Sequence, residues 1–270
     1  MAGAIFNTVP PLAAGAGMKF DGERFSTAAA PRNWLDNSDF TNLVAQAGIS
    51  GKHGSVSYAA DRWKLTSGTV AYTAGTGLTL NGTITQVLEK APTGGSCFVG
   101  MVSGTATIAL SGNTVTITSS GGVIKWAALY AEKFSAENRP EYQAKGRGAE
   151  YSECLRYFER LGEVQSESIG SPAFSPQGAT SFVIGIRYTR KRKKPSVVTG
   201  AASNYRMLLT TVHGGAIVGA NGLSSISASN IEYDNAVLLC TTIAAEGNYY
   251  QILQRQDSAK ASYVDIVADL

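Results

Sequence analysis

The sequence predicts a mainly β protein with two β-sandwich or jelly-roll-like domains, joined by one α-helix and preceded by an extended arm. Charged residues make up 16% of the 270 residues and apolar residues make up 44%, whereas globular domains average about 25% charged residues. Short segments in which apolar and polar residues alternate are rich in Val, Ile and Thr, and the chain contains 30 Gly residues. This composition is typical of strands joined by turns. Disordered chains are charge-rich and apolar-poor, and coiled coils show heptads, so both classes are excluded.

The domain boundaries follow from changes in composition along the chain. Residues 1–30 are rich in Ala and Gly, carry few bulky apolar side chains and end just before Pro31. Such an arm cannot bury a core of its own, so it either folds back on its own domain or docks on a neighbouring subunit. We assign residues 31–145 to the first β-sandwich, 146–162 to a linking helix and 163–270 to a C-terminal β-domain.

Residues 105–118 give the clearest hairpin prediction in the first domain. With Gly112-Asn113 as a two-residue turn, Leu110 faces Val115 and Ile108 faces Ile117 on one side of the ribbon. Further short strands are predicted at Ser55–Tyr58 and Arg62–Leu65.

Asn81-Gly82 is a second turn signal in the same domain. A two-residue loop here would set Leu80 against Thr83. A three-residue loop, Asn81–Thr83, sets Leu80 opposite Ile84 instead, and it is preferred because it keeps apolar side chains on one face.

One helix is predicted, from about Ala149 to Leu161. Apolar residues recur at spacings of three and four, and Gly162 follows the last of them. The predicted buried face consists of Tyr151, Cys154, Leu155, Phe158 and Leu161.

The second domain shows strict alternation in two segments. Phe182, Ile184, Ile186 and Tyr188 predict the buried face of one strand, and Val264, Ile266, Ala268 and Leu270 predict that of another. The latter indicates a C-terminal strand paired inside a sheet. Further strands are predicted at Met207–Val212, Val237–Thr242 and Tyr249–Leu253.

Positive charge is concentrated in one run. Arg190, Lys191, Arg192, Lys193 and Lys194 carry +5 in a chain of net charge +3, so the rest is slightly acidic. A general nucleic-acid-binding protein spreads Lys and Arg over one face. The single basic run of this chain therefore does not predict nucleic-acid binding. The run either binds an anionic polymer, or contacts an acidic neighbouring subunit, or is a solvated loop.

Catalytic and cofactor signals are missing from the sequence. His53 and His213 lie in no metal-binding or hydrolase motif. The three cysteines, Cys97, Cys154 and Cys240, lack the spacing of metal ligands. They are interpreted as free thiols, which suits a reducing compartment. We therefore expect the protein to have no enzymatic activity and to bind no metal or cofactor.

The first 18 residues lack the basic segment of a signal peptide. Charge-free stretches elsewhere are interrupted by Thr, Ser and Gly, so no membrane insertion is expected.

Two segments resemble a known family. The first is Asn33-Trp34-Leu35-Asp36-Asn37-Ser38-Asp39-Phe40, followed by Gln46-Ala47-Gly48 and Tyr58-Ala59-Ala60-Asp61-Arg62-Trp63. It is similar to the "N-L-L-x-N-x-x-F … Q-x-G … Y-x-x-D-R-W" opening of bacteriophage tail-fibre and other virion appendage domains. The second runs from Trp126-Ala127-Ala128-Leu129-Tyr130 through Pro140-Glu141-Tyr142-Gln143 to Glu153-Cys154-Leu155-Arg156-Tyr157-Phe158, and the final strand Tyr263–Leu270 also resembles that of these chains. The matches cover about residues 33–160 and the C-terminus, without the long shaft repeat of many fibres.

The resemblance implies a carbohydrate-binding-module-like jelly roll, a linking helix and a C-terminal β-domain in a phage particle. The predicted function is that of a non-enzymatic virion structural protein, a trimeric tail or fibre subunit assembled in the bacterial cytoplasm. Residues 1–30 would attach it to other virion proteins, and the C-terminal domain would touch host polysaccharide. The alternative is a capsid-attached head fibre or decoration protein.

Aromatic and basic residues supply the remaining candidates for glycan contact. Tyr205-Arg206 follows a loop-like segment, and Tyr249-Tyr250 are adjacent on a strand, so one of that pair points away from the core. Trp63 and Trp126 are predicted to be core residues rather than sugar-stacking platforms.

Overall fold

The computed structural model confirms the mainly β prediction, with antiparallel sheets and one α-helix among the residues it describes. The structure describes residues 18–20, 25–27, 33–90, 98–131, 141–162, 168–170, 173–175, 179–210, 217–246, 249–255 and 263–268. Most of the predicted arm therefore lies outside the described residues. Its described part consists of two short antiparallel strands, β1 (Met18–Phe20) and β2 (Phe25–Thr27).

The first domain is a two-layered β structure. Its strands are β3 (Lys52–His53), β4 (Val56–Ala60), β5 (Trp63–Thr73), β6 (Gly77–Val87), β7 (Phe98–Val102), β8 (Thr107–Ser111), β9 (Thr114–Ile124) and β10 (Ala127–Ala131). Six of them form an antiparallel sheet in the order β3-β4-β5-β6-β9-β8, and β7 pairs with β10. The segment 33–45 and β10 cover the inner face of the six-stranded sheet, where Trp63 is fully buried as predicted.

The hairpin prediction for residues 105–118 is confirmed. Leu110 pairs with Val115, and Ile108 pairs with Ile117. Gly112 has the positive φ, 59°, that the turn requires.

The predicted loop at Asn81–Thr83 is wrong, because β6 runs through these residues without turning. Leu80 pairs with Val70 on one side, and Ile84 pairs with Leu65. Gly82 has φ 139°, and a Cβ there would overlap the carbonyl oxygen of Ser67 in the neighbouring strand. The glycine permits a close approach of two strands beside a β-bulge, and Leu80 and Ile84 still share the buried face.

The helix is shorter than predicted. Helix α1 spans Arg147–Leu155, and the chain then enters β11 (Phe158–Leu161). The periodic residues Phe158 and Leu161 therefore belong to a strand, which pairs with the C-terminal strand. Tyr151, predicted on the buried face, is 44% exposed, whereas Glu150, which is not part of that predicted face, is buried.

The second domain packs a six-stranded sheet against a three-stranded one. The strands after β11 are β12 (Ala173–Ser175), β13 (Ala179–Arg187), β14 (Ser196–Thr199), β15 (Tyr205–Thr210), β16 (Ile217–Ser229), β17 (Asn235–Glu246), β18 (Tyr249–Arg255) and β19 (Val264–Val267). The sheet orders are β12-β18-β15-β16-β17-β13 and β11-β19-β14. A 3-10 turn, Ala202–Asn204, precedes β15.

Both predicted buried rows in this domain are confirmed for the described residues, although Asp265, between two members of the second row, is buried as well. Phe182, Ile184, Ile186 and Tyr188 are buried, as are Val264, Ile266 and Ala268. The C-terminal strand β19 lies at the centre of the three-stranded sheet, whereas Leu270 lies outside the described residues. No helix of the described segments has the length and apolar character needed to cross a membrane.

Candidate functional site

The motif residues of the first domain form a buried polar framework rather than an exposed site. The Asn37 side chain donates hydrogen bonds to the carbonyl oxygens of Val44 at 2.8 Å and Asp61 at 2.7 Å. The Trp63 indole donates to the Asn37 carbonyl oxygen at 2.8 Å. Arg62, 4% exposed, donates from Nε to Asp36 at 3.1 Å. The motif therefore specifies how the opening segment folds over the sheet.

Helix α1 is attached to this framework through Glu150. Its carboxylate accepts hydrogen bonds from the backbone N–H groups of Asn37 and Ser38. Burial raises the pKa of Glu150, while Lys145 and these two hydrogen bonds act in the opposite direction. A buried acceptor with two backbone donors fixes the helix to the first domain.

The two domains meet in a second polar network, which we call the domain joint and which consists of Gln46, His53, Asp61, Arg160 and Asp265. Gln46 of the first domain donates to Asp61 at 2.7 Å and to the Phe158 carbonyl oxygen in β11 at 3.0 Å. One side chain thereby links a loop of the first domain to the strand that begins the second.

His53 lies at the centre of the domain joint. Its ring stacks on Tyr58, with centroids 3.9 Å apart, and on Phe158, with centroids 3.7 Å apart. Its Nε2 lies 3.4 Å from Asp61 Oδ1, and the residue is 2% exposed. A buried imidazole sandwiched by two aromatic rings is a packing element, and no substrate can reach it in this state.

Arg160 and Asp265 connect β11 and β19 across the joint. The guanidinium donates to both carboxylate oxygens, at 2.8 and 2.9 Å, and it stacks on the Tyr263 ring with its Cζ 3.3 Å from the centroid. It also donates to the Lys52 carbonyl oxygen of the first domain at 3.2 Å. Burial raises the pKa of Asp265, opposed by Arg160 and by the Gly54 N–H.

A cluster of guanidinium groups surrounds Tyr157 on another side of the interface. Arg62 lies 3.5 Å from the ring centroid, Arg192 lies 5.2 Å from it and Arg156 lies 5.9 Å from it. The Tyr157 hydroxyl donates to Glu89 at 2.6 Å. Partial burial acts to raise the pKa of Glu89, but the Tyr157 hydrogen bond and the charges of Arg156 and Arg192 outweigh it and lower the pKa.

The structure divides the predicted basic run into inward and outward members. Lys191 is 2% exposed, and its ammonium donates to the Leu155 carbonyl oxygen and to Glu159 at 2.8 Å. The Arg192 backbone N–H donates to the Arg156 carbonyl oxygen at 3.1 Å, and its Nε and Nη1 atoms are buried without a hydrogen-bond partner. These two residues attach the 188–195 loop to the end of α1.

Three members of the run face solvent: Arg190, Lys193 and Lys194. Arg190 lies 5.7 Å from the Tyr233 ring centroid, and Lys194 lies 4.0 Å from Glu232, with both side chains about 60% exposed. Any contact of this run with an anionic ligand would rest on these three side chains.

Tyr205, which the sequence suggested for glycan contact, is not exposed in the structure. Tyr205 is fully buried, and its hydroxyl accepts from the Gly200 N–H and donates to the Tyr263 carbonyl oxygen. Arg206 is partly buried, with its Nε buried and lacking a hydrogen-bond partner. Tyr249 and Tyr250 lie in β18, paired with β12, and their side chains lie outside the described residues.

Sequence reasoning missed an exposed apolar surface on the second domain, which we call the outer face. It lies on β16, β17 and β13, opposite the core, where Val183 is 60% exposed, Leu239 43% and Ile243 74%. Val183 pairs with Leu239, which pairs in turn with Ser227. The neighbouring side chains are small and uncharged: Ser181, Ser225, Ser227 and Thr241. The alternation of β13 already carried this signal, because Val183 points away from the buried positions.

Within the described segments, no cluster of three His, Cys, Asp or Glu side chains is arranged to hold a metal ion. Trp126, predicted to be a core residue, is only partly buried and stacks on Tyr142 in a small separate cluster. No family model, curated protein or solved structure matches the chain in comparisons of sequence and fold.

Proposed function

We propose that this chain is a non-enzymatic structural protein of a bacteriophage particle, a fibre or tail-appendage subunit that assembles through the outer face. The observation that carries the proposal is the uncharged outer face itself, with Val183, Leu239 and Ile243 exposed in a sheet. Exposed aliphatic side chains on one uncharged sheet face favour an interaction site.

A second copy of the chain is the occupant that suits this face best. Leu239 pairs with Val183 on one side and with Ser227 on the other, so an aliphatic ridge runs beside a shallow row of Ser. Such an uncharged surface can pack against neighbouring copies of the chain around the symmetry axis of a cyclic oligomer. No charged side chain interrupts the central stretch from Ser181 to Val183 or its partners Leu239 and Thr241.

The domain joint supports an appendage role in a different way. The stacked His53, the Gln46 bridge and the Arg160–Asp265 pair fix one domain against the other by side chains that are largely buried. A subunit of an extended particle must hold its outward domain in a defined orientation, and a packed joint does so better than a flexible linker.

The resemblance of residues 33–63 to virion appendage domains gives the proposal its biological setting. In this chain the matched residues Asn37, Asp61, Arg62 and Trp63 are buried and hydrogen-bonded to one another or to the backbone. They therefore support the folding of a common domain type and supply no catalytic group.

Light scattering of the purified protein tests the assembly. We expect a trimer for the wild type and a single subunit for Leu239→Lys, because the ammonium would be buried without a partner in the interface. Tyr151→Lys is the matched control, since Tyr151 is equally exposed but lies on α1. A wild-type protein that remains a single subunit at micromolar concentration contradicts assembly through this face.

Immuno-electron microscopy tests the location. Antibody raised against the protein should label the tail or its fibres on phage particles. Labelling of the capsid surface would instead establish the head-fibre or decoration role, and particles without label would overturn the virion assignment.

A further inference from the structure

A polar cleft of about 250 Å³ opens where the first domain meets the end of α1. Half-buried Trp34 and buried Leu88 supply its apolar lining. The other lining side chains are charged or carry a hydroxyl group: Asp36, Glu89, Lys90, Glu153, Arg156 and Tyr157. An aromatic ring among convergent polar groups is a common composition of a small-molecule site, and the balance of charge around this cleft indicates the class of ligand.

Each of the three carboxylates of the cleft is neutralised by a cation of the chain. The ion pairs are Asp36 with Arg62 at 3.1 Å, Glu153 with Lys145 at 2.7 Å and Glu89 with Arg156 at 2.7 Å. Lys145 also lies 3.8 Å from Asp36. The three pairs together carry no net charge, so they leave no negative charge to hold a cationic ligand.

Two further cations stand outside these pairs. Lys90 lines the cleft, is exposed and forms no ion pair with a described residue. Arg192 lies beside the Tyr157 ring, with its Cζ 5.2 Å from the centroid, and its Nε and Nη1 atoms are buried without a hydrogen-bond partner. Partial burial acts to raise the pKa of Glu89, but the Tyr157 hydrogen bond and the charges of Arg156 and Arg192 lower it, so the charge of Arg192 acts at the cleft. Five cations against three carboxylates leave a surplus charge of +2.

Arg156 retains hydrogen-bond donors for a ligand. Its Nη2 binds Glu89, whereas a guanidinium group offers five N–H donors in a planar fork. The Arg156 side chain is 46% exposed, so the remaining donors are accessible beside the ammonium group of Lys90. A guanidinium and an ammonium group together are the donors with which proteins bind phosphate oxygens.

We propose that this cleft binds a small phosphate monoester, with Lys90 and Arg156 donating to the phosphate oxygens and Trp34 against the organic substituent. A phosphate monoester carries a charge of about −1.5 to −2 at neutral pH, which matches the surplus charge around the cleft. The volume lies just below the range of roughly 300–1,000 Å³ found for drug-sized ligands, which leaves room for a substituent beside the phosphate. The inference goes beyond the proposed function, because the cleft lies within one chain and contains no residue of the outer face.

Isothermal titration calorimetry at physiological ionic strength and neutral pH tests the proposal with two probes, phenyl phosphate and inorganic phosphate. Phenyl phosphate should bind with a Kd of about 1 mM or below. Inorganic phosphate should bind several-fold more weakly, because it has no group to contact Trp34, and Trp34→Ala should abolish this difference between the probes. Absence of phenyl phosphate binding would overturn the proposal, and tighter binding of inorganic phosphate would overturn the assignment to a monoester.

Two exposed lysines provide a matched pair of variants. Lys90→Gln should weaken phenyl phosphate binding on the order of tenfold, because a charge-assisted hydrogen bond is lost. Lys193→Gln removes the same charge from an exposed lysine that does not line the cleft, and it should bind the probe as the wild type does. Wild-type affinity in Lys90→Gln would overturn the proposal. An equal loss in Lys193→Gln would also overturn it, since that result indicates diffuse attraction to positive charge instead of a site.

Discussion

Arg160 and Asp265 form a bidentate ion pair between β11 and β19, with side chains only 9% and 2% exposed. Two parallel hydrogen bonds at 2.8 and 2.9 Å give this pair a defined geometry. Because Arg160 also binds the Lys52 carbonyl oxygen, the pair orients the second domain against the first as well as closing a sheet.

Asp265→Asn should destabilise the protein by about 3–5 kcal/mol, since it leaves a buried guanidinium without its counter-charge. Urea unfolding followed by near-ultraviolet circular dichroism measures the loss. In a double-mutant cycle with Arg160→Met, the second substitution should cost much less once Asp265 has been replaced. Additive losses would contradict the direct coupling of the two side chains.

The basic run provides a pair of lysines in opposite environments. Lys191→Met should cost about 2–3 kcal/mol, because Glu159 and the Leu155 carbonyl oxygen lose a shared buried donor. Lys193→Met should stay within about 0.5 kcal/mol of the wild type, since its side chain is exposed. Equal effects of the two substitutions in thermal unfolding would show that the loop does not dock on α1.

Tyr205 predicts a loss of stability in alkaline solution. Burial raises its pKa from 10.0 to about 12, so the unfolded chain releases this proton at lower pH than the folded protein does. The contribution of Tyr205 is complete below pH 10 and is lost as the pH rises to about 12, by at most about 3 kcal/mol.

The comparison with Tyr205→Phe isolates this effect. The variant should be less stable at neutral pH, because the Gly200 N–H and the Tyr263 carbonyl oxygen lose their partner. Its stability should then fall less steeply between pH 10 and 12. A slope remains from other groups whose pKa burial raises, among them Tyr188 and Cys240, each to about 12, and Tyr142 and Tyr157. Parallel stability curves for the two proteins would exclude Tyr205 as the source.

Assembly through the outer face predicts a melting temperature that depends on protein concentration. Dissociation and unfolding are linked by mass action, so dilution should lower Tm for the wild type. Ile243→Lys should make Tm independent of concentration while the folded subunit remains intact, because Ile243 is 74% exposed and contributes little to the core. A concentration-independent Tm for the wild type would argue against the oligomer.

Gly82→Ala should be strongly destabilising, because φ is 139° and the new Cβ would overlap the Ser67 carbonyl oxygen. Gly148→Ala is the matched control: its Cβ would meet no neighbouring atom within 4 Å, and Ala favours a helix over Gly by up to about 1 kcal/mol. Chemical unfolding should therefore place the two variants on opposite sides of the wild type.

Periodicity predicted those strands whose burial alternates without interruption. The pairing of Leu110 with Val115 and the buried row from Phe182 to Tyr188 followed from a period of two. The loop prediction at Asn81-Gly82 was wrong because the same dipeptide occurs both in turns and at bulges. Only the close approach of the Ser67 carbonyl oxygen identifies this one as a bulge.

The end of the helix could not be predicted because its competing partner is distant in sequence. Phe158 and Leu161 continue a helical spacing, yet their backbone pairs with Val267 and Val264. The same reason applies to the basic run 190–194, whose five charges look alike in the sequence. The hydrogen-bond acceptors of buried Lys191 lie more than 30 residues away in the chain. Trp34 and Glu89 were likewise brought to one cleft by tertiary packing alone.

The position of β19 between β11 and β14 has a consequence for synthesis on the ribosome. About a hundred residues separate β11 from the strand that covers its edge, so at roughly 5–20 residues per second the edge stays open for about 5–20 s. During that interval the edges of β11 and β14 that later pair with β19 are both unprotected. The Arg160–Asp265 contact of the joint can therefore form only after β19 has been made, which delays the orientation that this pair gives to the second domain.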